Sequence, residues 1–240
     1  MNKRRFFLKQ SAAIALGAKS YALTPKQENK KYAMLIDLRK CVACHSCTVS
    51  CKIENKTPAN KFRTNVAEFE IGLYPNVRKA FLPSLCNHCD NAPCISVCPT
   101  GATFKRKDGI VVVDASVCWG CGYCVNACPY DKRFINPITK VADKCNFCLH
   151  RLNANLLPAC VQNCVGGARI IGDLNDSSSL ISKLLATHQS SVLKQSSKTK
   201  PNVYYIGLNG QLSDNIFSLD DVDGILKSKN QTSIWQSKGE

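Results

Sequence analysis

The sequence predicts a mixed chain of short strands and few helices. It is built as a duplicated cysteine-rich unit, followed by a plainer C-terminal segment. Three observations predict this. Sixteen cysteines all fall between Cys41 and Cys164. They form four motifs that match one another in alternate pairs. Short apolar runs bounded by turn residues separate the motifs, and one stretch alone, after the last motif, has helical periodicity.

The most specific stretch is Cys118 to Pro129, C-W-G-C-G-Y-C-V-N-A-C-P. Its cysteines are separated by two, two and three residues and followed by proline, the run that holds [4Fe–4S] clusters. Three thiolates in one turning loop hold three irons of a cube. The fourth cysteine reaches a second cluster. A lone C-x-x-C is shared with zinc and redox sites, but four cysteines in this order are far more specific. Cys41, Cys44, Cys47 and Cys51 repeat the spacing. Cys86, Cys89, Cys94 and Cys98 widen the second gap to four residues. Cys145, Cys148, Cys160 and Cys164 widen it to eleven.

The repeat extends beyond the cysteines. Asp37 lies four residues before Cys41, and Asp114 four before Cys118, each after an apolar run. Cys86-Asn87-His88-Cys89 parallels Cys145-Asn146-Phe147-Cys148. Gly101-Ala102 and Gly167-Ala168 follow the last cysteines of motifs two and four at one offset.

In chain order, residues 3–9 read K-R-R-F-F-L-K, and the twin arginine Arg4-Arg5 precedes an apolar run from Ala12 to Ala18. Ser20-Tyr21-Ala22 is a small-residue cleavage site. The run is too short to span a bilayer. Residues 1–22 therefore read as a twin-arginine export signal, and 23–31 as a polar linker. Export of folded protein suits a chain whose bare thiols would oxidise outside the cytoplasm. Tyr32–Leu38 predicts a strand. Residues 52–85 form an insertion with strands over Val66–Leu73 and Val77–Leu82 around Tyr74-Pro75-Asn76. Ala102–Lys105 and Ile110–Asp114 flank Lys107-Asp108-Gly109, a hairpin signal. Phe134–Asp143 reads as a loop, since it contains Asn136-Pro137. Ser177–Leu193 reads as a helix capped by Ser177-Ser178-Ser179. Val203–Leu208 reads as a strand, and residues 209–240 are weakly patterned. The cluster domain is thus 32–173, and 174–240 is a C-terminal extension.

The formal charge is +15. Residues 1–22 carry five basic residues and no acidic one, so without them 27 basic face 17 acidic residues, a surplus of +10. Each oxidised four-thiolate [4Fe–4S] centre contributes about −2, so four of them bring the protein close to neutral. No basic stripe interleaved with aromatics supports nucleic-acid binding. No P-loop, Ser–His–Asp order or paired-acid signature is present, so the reading is of a conductor with no reaction of its own. His45, His88 and His150 lie beside complete cysteine sets and read as surface groups or neighbours of the ligands. Trp119 and Tyr123 are expected to cover a cluster. Arg39, Lys40, Lys144 and Arg151 are expected on a solvated face.

With these motifs stand Y-A-M-L-I-D-L-R-K-C (32–41), S-C-T-V-S-C (46–51), I-E-N-K-T-P (53–58), L-C-N-H-C-D-N (85–91), D-G-I-V-V-V-D (108–114), A-C-P-Y-D-K-R-F-I-N (127–136), L-L-P-A-C-V (156–161) and V-G-G-A-R-I-I-G-D (165–173). Together they resemble the electron-transfer subunits of molybdopterin respiratory oxidoreductases, and within that group most nearly those of tetrathionate reductases. The resemblance covers roughly residues 30–172. It implies an α+β fold of two ferredoxin-like halves binding four [4Fe–4S] clusters. It implies these ligand sets: Cys41, Cys44, Cys47 and Cys164; Cys51, Cys145, Cys148 and Cys160; Cys86, Cys89, Cys94 and Cys128; Cys98, Cys118, Cys121 and Cys124. It also implies a non-catalytic periplasmic subunit, peripheral on the inner membrane through its partners. That subunit would carry electrons from a membrane quinol-oxidising subunit to a molybdopterin catalytic subunit that reduces tetrathionate to thiosulfate. The same relay in a thiosulfate, polysulfide, dimethyl sulfoxide or nitrite reductase is the alternative. A secreted zinc or disulfide module is the alternative of another class. No proline follows Cys51 or Cys164, a departure from the run that bears on loop shape.

Overall fold

The computed structural model describes residues 30–71 and 74–208. The export signal expected over 1–22, most of the linker and the weakly patterned 209–240 lie outside the described residues. In chain order the strands are β1 (Tyr32–Asp37), β2 (Thr64–Ile71), β3 (Arg78–Leu85), β4 (Thr103–Lys105), β5 (Val111–Val113), β6 (Arg133–Ile135), β7 (Ala142–Lys144), β8 (Arg169–Asp173), β9 (Ser190–Ser191) and β10 (Val203–Ile206). The helices are α1 (Ser46–Glu54), α2 (Pro93–Ser96), α3 (Tyr123–Asn126), α4 (Leu149–Asn153), α5 (Ala159–Gln162) and α6 (Leu180–Thr187). The fold is mixed α+β, as expected.

The main sheet runs β8-β1-β10-β9. β1 is central, antiparallel to β8 and parallel to β10. This explains why its sequence is apolar throughout rather than alternating: both its faces are covered. Ala33 and Leu35 pack with Ile206 against Ile181 of α6. Met34 and Ile36 point the other way, with Val203 and Tyr205, into the core that holds the cysteines. The two-residue period of a strand thus divides β1 between an ordinary apolar layer and the sulfur layer. Gly172 of β8 lets α6 approach, since a Cβ there would lie 2.7 Å from Ile181 Cγ2.

Three two-stranded hairpins complete the fold: β2–β3, β4–β5 and β6–β7. The insertion hairpin lies where expected, with eight paired positions from Thr64↔Leu85 to Ile71↔Arg78. Phe134–Asp143 is not a plain loop. Arg133↔Lys144, Phe134↔Asp143 and Ile135↔Ala142 pair as β6–β7, and Asn136 makes the tip by accepting Ile138 N on its side chain. Two inward-facing basic residues hide this hairpin from any apolar pattern.

The expected helix over Ser177–Leu193 is shorter. Ser179 caps α6, its hydroxyl accepting from Ser182 N. The helix ends at Thr187, because Ser190 and Ser191 pair with β10 instead. β10 is no appendage either: Val203 and Tyr205 are fully buried beside β1.

Candidate metal centre

Each cysteine motif turns at the same place. The residue before its second cysteine is left-handed: Ala43 at φ 52°, His88 at 45°, Gly120 at 67° and Phe147 at 54°. Such reversals curl successive N–H groups into a concavity that receives anions, as at many iron–sulfur sites. Motifs one and three reverse again two residues later, at His45 (57°) and Gly122 (80°). Backbone N–H groups donate to sulfur in motifs two, three and four: Thr103 to Cys98 at 3.4 Å, Ala142 to Cys118 at 3.4 Å, Phe147 to Cys145 at 3.4 Å and Ala168 to Cys164 at 3.2 Å. Single helical turns then carry the third cysteines, Cys94 in α2, Cys124 in α3 and Cys160 in α5, while Cys47 and Cys51 sit in α1.

The Asp repeat has a structural meaning. Asp37 Oδ1 accepts Arg39 N at 3.1 Å, and Asp114 Oδ1 accepts Ser116 N at 2.9 Å. Each aspartate closes a turn that launches the chain into the ligand loop.

Packing decides which motifs meet. α1 packs on α5, and α2 packs on α3. Motif one therefore meets motif four, and motif two meets motif three. Cys41, Cys44, Cys47 and Cys164 line one small, partly open pocket, together with Arg169. Cys51 lies beside Cys148 and Cys160, and Cys145 beside Cys51, Cys160 and Cys86; Cys89 lies beside Cys86, Cys94 and Cys128. In the last set, Cys124 shares Arg133 with Cys86 and Cys94. Cys98 and Cys118 hold backbone donors, and Cys121 is exposed.

None of the sixteen sulfurs forms a disulfide. Among the described residues, no three His, Cys, Asp or Glu side chains gather closely enough for one metal ion. Burial pushes the Cys51 and Cys89 thiols up to about 12 and the Cys94 thiol up to about 11, with neighbouring thiolates adding to it. Such thiols ionise only against bound cations, which is how metal binding couples to proton release.

Among the described residues, three Lys or Arg side chains are buried. Arg133, Lys144 and Arg169 are 4%, 3% and 3% exposed. Lys144, expected on a solvated face, instead donates to the Val111 and Cys145 carbonyls. Arg151 is also half-buried, donating to Glu54 at 2.9 Å and to the Leu157 carbonyl at 2.7 Å; Arg39 and Lys40 are exposed as expected. His88 is fully buried, accepts from Val111 N at 3.1 Å and stacks 3.8 Å from Phe147. Burial holds its pKa well below the usual histidine range, with the Lys144, Arg133 and Lys105 charges adding. His45 and His150 are exposed partners of Glu68 and Glu54. Trp119 and Tyr123 do not cover a sulfur site: they are 80% and 59% exposed. The buried arginines escape a reading of the sequence. Their one signal is position, since Arg133 and Arg169 each lie five residues after the last cysteine of a motif.

The donor set fits iron–sulfur groups on three counts: grouped thiols, anion-receiving loops, and buried cations set beside sulfur. A family model described as a 4Fe-4S dicluster domain matches residues 77–174. The chain is 49% identical to the B subunit of tetrathionate reductase from Salmonella typhimurium, covering 98% of this chain and 96% of that protein. It is 41% identical to the B subunit of selenate reductase from Mesobacillus selenatarsenatis, over 73% and 72% of the two chains. It is 41% identical to the B subunit of tetrathionate reductase from Archaeoglobus fulgidus, over 77% and 86%. Fold and site together define an iron–sulfur protein of mixed α+β architecture. The chain belongs to the family that contains the B subunits of tetrathionate and selenate reductases.

Proposed function

We propose that this chain is the electron-transfer subunit of a periplasmic tetrathionate reductase complex. It relays electrons from a membrane quinol-oxidising subunit to a molybdopterin catalytic subunit, which reduces tetrathionate to thiosulfate. The near full-length likeness to the Salmonella protein supports the substrate. The observation that supports the relay most is the pocket where Cys41, Cys44 and Cys47 of motif one meet Cys164 of motif four, the grouping that an interlocked ligand set requires.

In this reading the chain has two ferredoxin-like halves and binds four [4Fe–4S] clusters through the four cysteine sets that the resemblance implies. When bound, iron–sulfur clusters supply one-electron redox chemistry. The chain holds the thiolates, curls N–H groups around them and keeps most of them from water. Cys44 and Cys121 are the two exposed cysteines, each the second of its motif. They mark where electrons enter and leave. Residues 1–22 are the twin-arginine signal read by the export machinery, 23–31 a linker, 32–173 the cluster domain and 174–240 an extension. No helix of the described residues is long and apolar enough to cross a membrane. Attachment to the inner membrane through partner subunits is part of this proposal.

The test is a reconstituted complex carrying Cys121→Ser. Quinol-driven reduction of tetrathionate slows, while artificial dyes that feed the catalytic subunit directly still support turnover. Equal loss by both routes counts against a relay.

A further inference from the structure

Arg133 and Arg169 are placed alike. Each is five residues past the last cysteine of its motif and first in its strand, β6 or β8. Each is buried, and each donates to a buried threonine that is first in another strand. Arg133 Nη1 reaches Thr103 Oγ1 of β4 at 3.2 Å, and Arg169 Nη2 reaches Thr64 Oγ1 of β2 at 2.9 Å. Neither takes part in the ion pairs with carboxylates found among the described residues. Arg133 keeps Nε and Nη2 without a hydrogen-bond partner.

Sulfur takes the place of the missing carboxylates. Arg169 lines the cavity of Cys41, Cys44, Cys47 and Cys164, and it also lies beside Cys160 of the neighbouring set. Arg133 lies beside Cys86 and Cys94 of one set and Cys124 of the next. A guanidinium is charged in any case.

We propose that Arg133 and Arg169 are equivalent fixed positive charges, each set between two neighbouring clusters and holding up the reduction potentials of both. An added electron makes a cluster more negative, so a cation in a low-dielectric interior favours the reduced form. Arg169 acts on the two clusters of motifs one and four. Arg133 acts on the two of motifs two and three. Each is a positioning residue for charge, and Thr64 and Thr103 aim it. This rests on the four-cluster reading above.

The experiment is an EPR-monitored redox titration of the full chain carrying its clusters. Iron analysis of the wild type comes first: far fewer than about sixteen irons per chain sinks the four-cluster reading, and this one with it. In loaded protein, Arg169→Gln lowers two of the four midpoint potentials and Arg133→Gln lowers the other two. At a fixed poise the reduced-to-oxidised ratio of each affected cluster falls about tenfold, a shift of about 59 mV for one electron. Arg→Lys at either site stays near wild type. Should a Gln variant fail to load while its Lys counterpart loads, charge is again the requirement. Unchanged potentials in loaded Gln variants, equal shifts of all four clusters, or failure of Gln and Lys variants alike overturn the assignment.

Discussion

Arg133 and Lys144 stand opposite each other across the β6–β7 hairpin, and both are buried. Like charges directly opposite destabilise a strand pair, and a buried charge left without a partner costs several kcal/mol. The anionic sulfur around them is what makes the pair tolerable. Removing iron lets the thiols take up protons and become neutral, which strips the pair of its counter-charge. Chelation of the loaded protein therefore abolishes near-UV circular dichroism and the amide-exchange protection of β6 and β7. A native near-UV spectrum after complete iron removal would contradict this.

Ala43 and Gly120 occupy equivalent positions in motifs one and three, so they answer oppositely to substitution. Gly120→Ala puts a Cβ 2.0 Å from the Lys140 carbonyl oxygen at a left-handed φ. It is expected to cost more than about 2 kcal/mol and to lower iron content. Ala43→Gly relieves a left-handed alanine and gains about 0.5–1 kcal/mol after the unfolded-chain entropy is counted. Thermal melting and iron analysis of both variants check the pair, and a stabilised Gly120→Ala refutes it.

Tyr205 tests whether the last described strand is integral. Its ring is fully buried, and its hydroxyl donates to the Pro83 carbonyl at 3.1 Å, tying β10 to β3. Tyr205→Phe leaves that carbonyl short of a donor and costs about 1–3 kcal/mol. Tyr205→Ala opens a cavity and costs about 3–5 kcal/mol. Denaturant midpoints within error of wild type for both would make β10 an accessory.

Asp37 supplies a pH dependence. Its hydrogen bond from Arg39 holds the carboxyl below the usual range, against the effect of burial. A depressed folded-state pKa stabilises above the unfolded value of about 3.9, and that contribution is lost as pH falls through the folded value. Asp37→Asn is thus less stable than wild type at neutral pH by about 1 kcal/mol. The gap narrows as pH drops below about 4. Paired urea titrations at several pH values check this; a gap that widens in acid has the opposite sign and rules it out.

The repeat of Asp37 and Asp114, the paired glycines and the hairpin turns were all legible in the sequence, because each acts on its own few residues. The Phe134–Asp143 hairpin was not, since Arg133 and Lys144 face inward and break the apolar pattern that marks a strand. The length of α6 was not either. Its periodicity continues past Thr187, but pairing of Ser190 and Ser191 with β10 wins.

Sequence alone determined the chemistry. Sixteen thiols in four motifs dictate a soft-metal interior, because most of each ligand loop is supplied by neighbours in sequence. Tertiary structure decided how that interior is balanced: that α1 lies on α5 and α2 on α3, that β10 completes the sheet beside β1, and that two arginines sit among the sulfurs. Burial and charge compensation come from groups far apart in the chain, so no local pattern announces them.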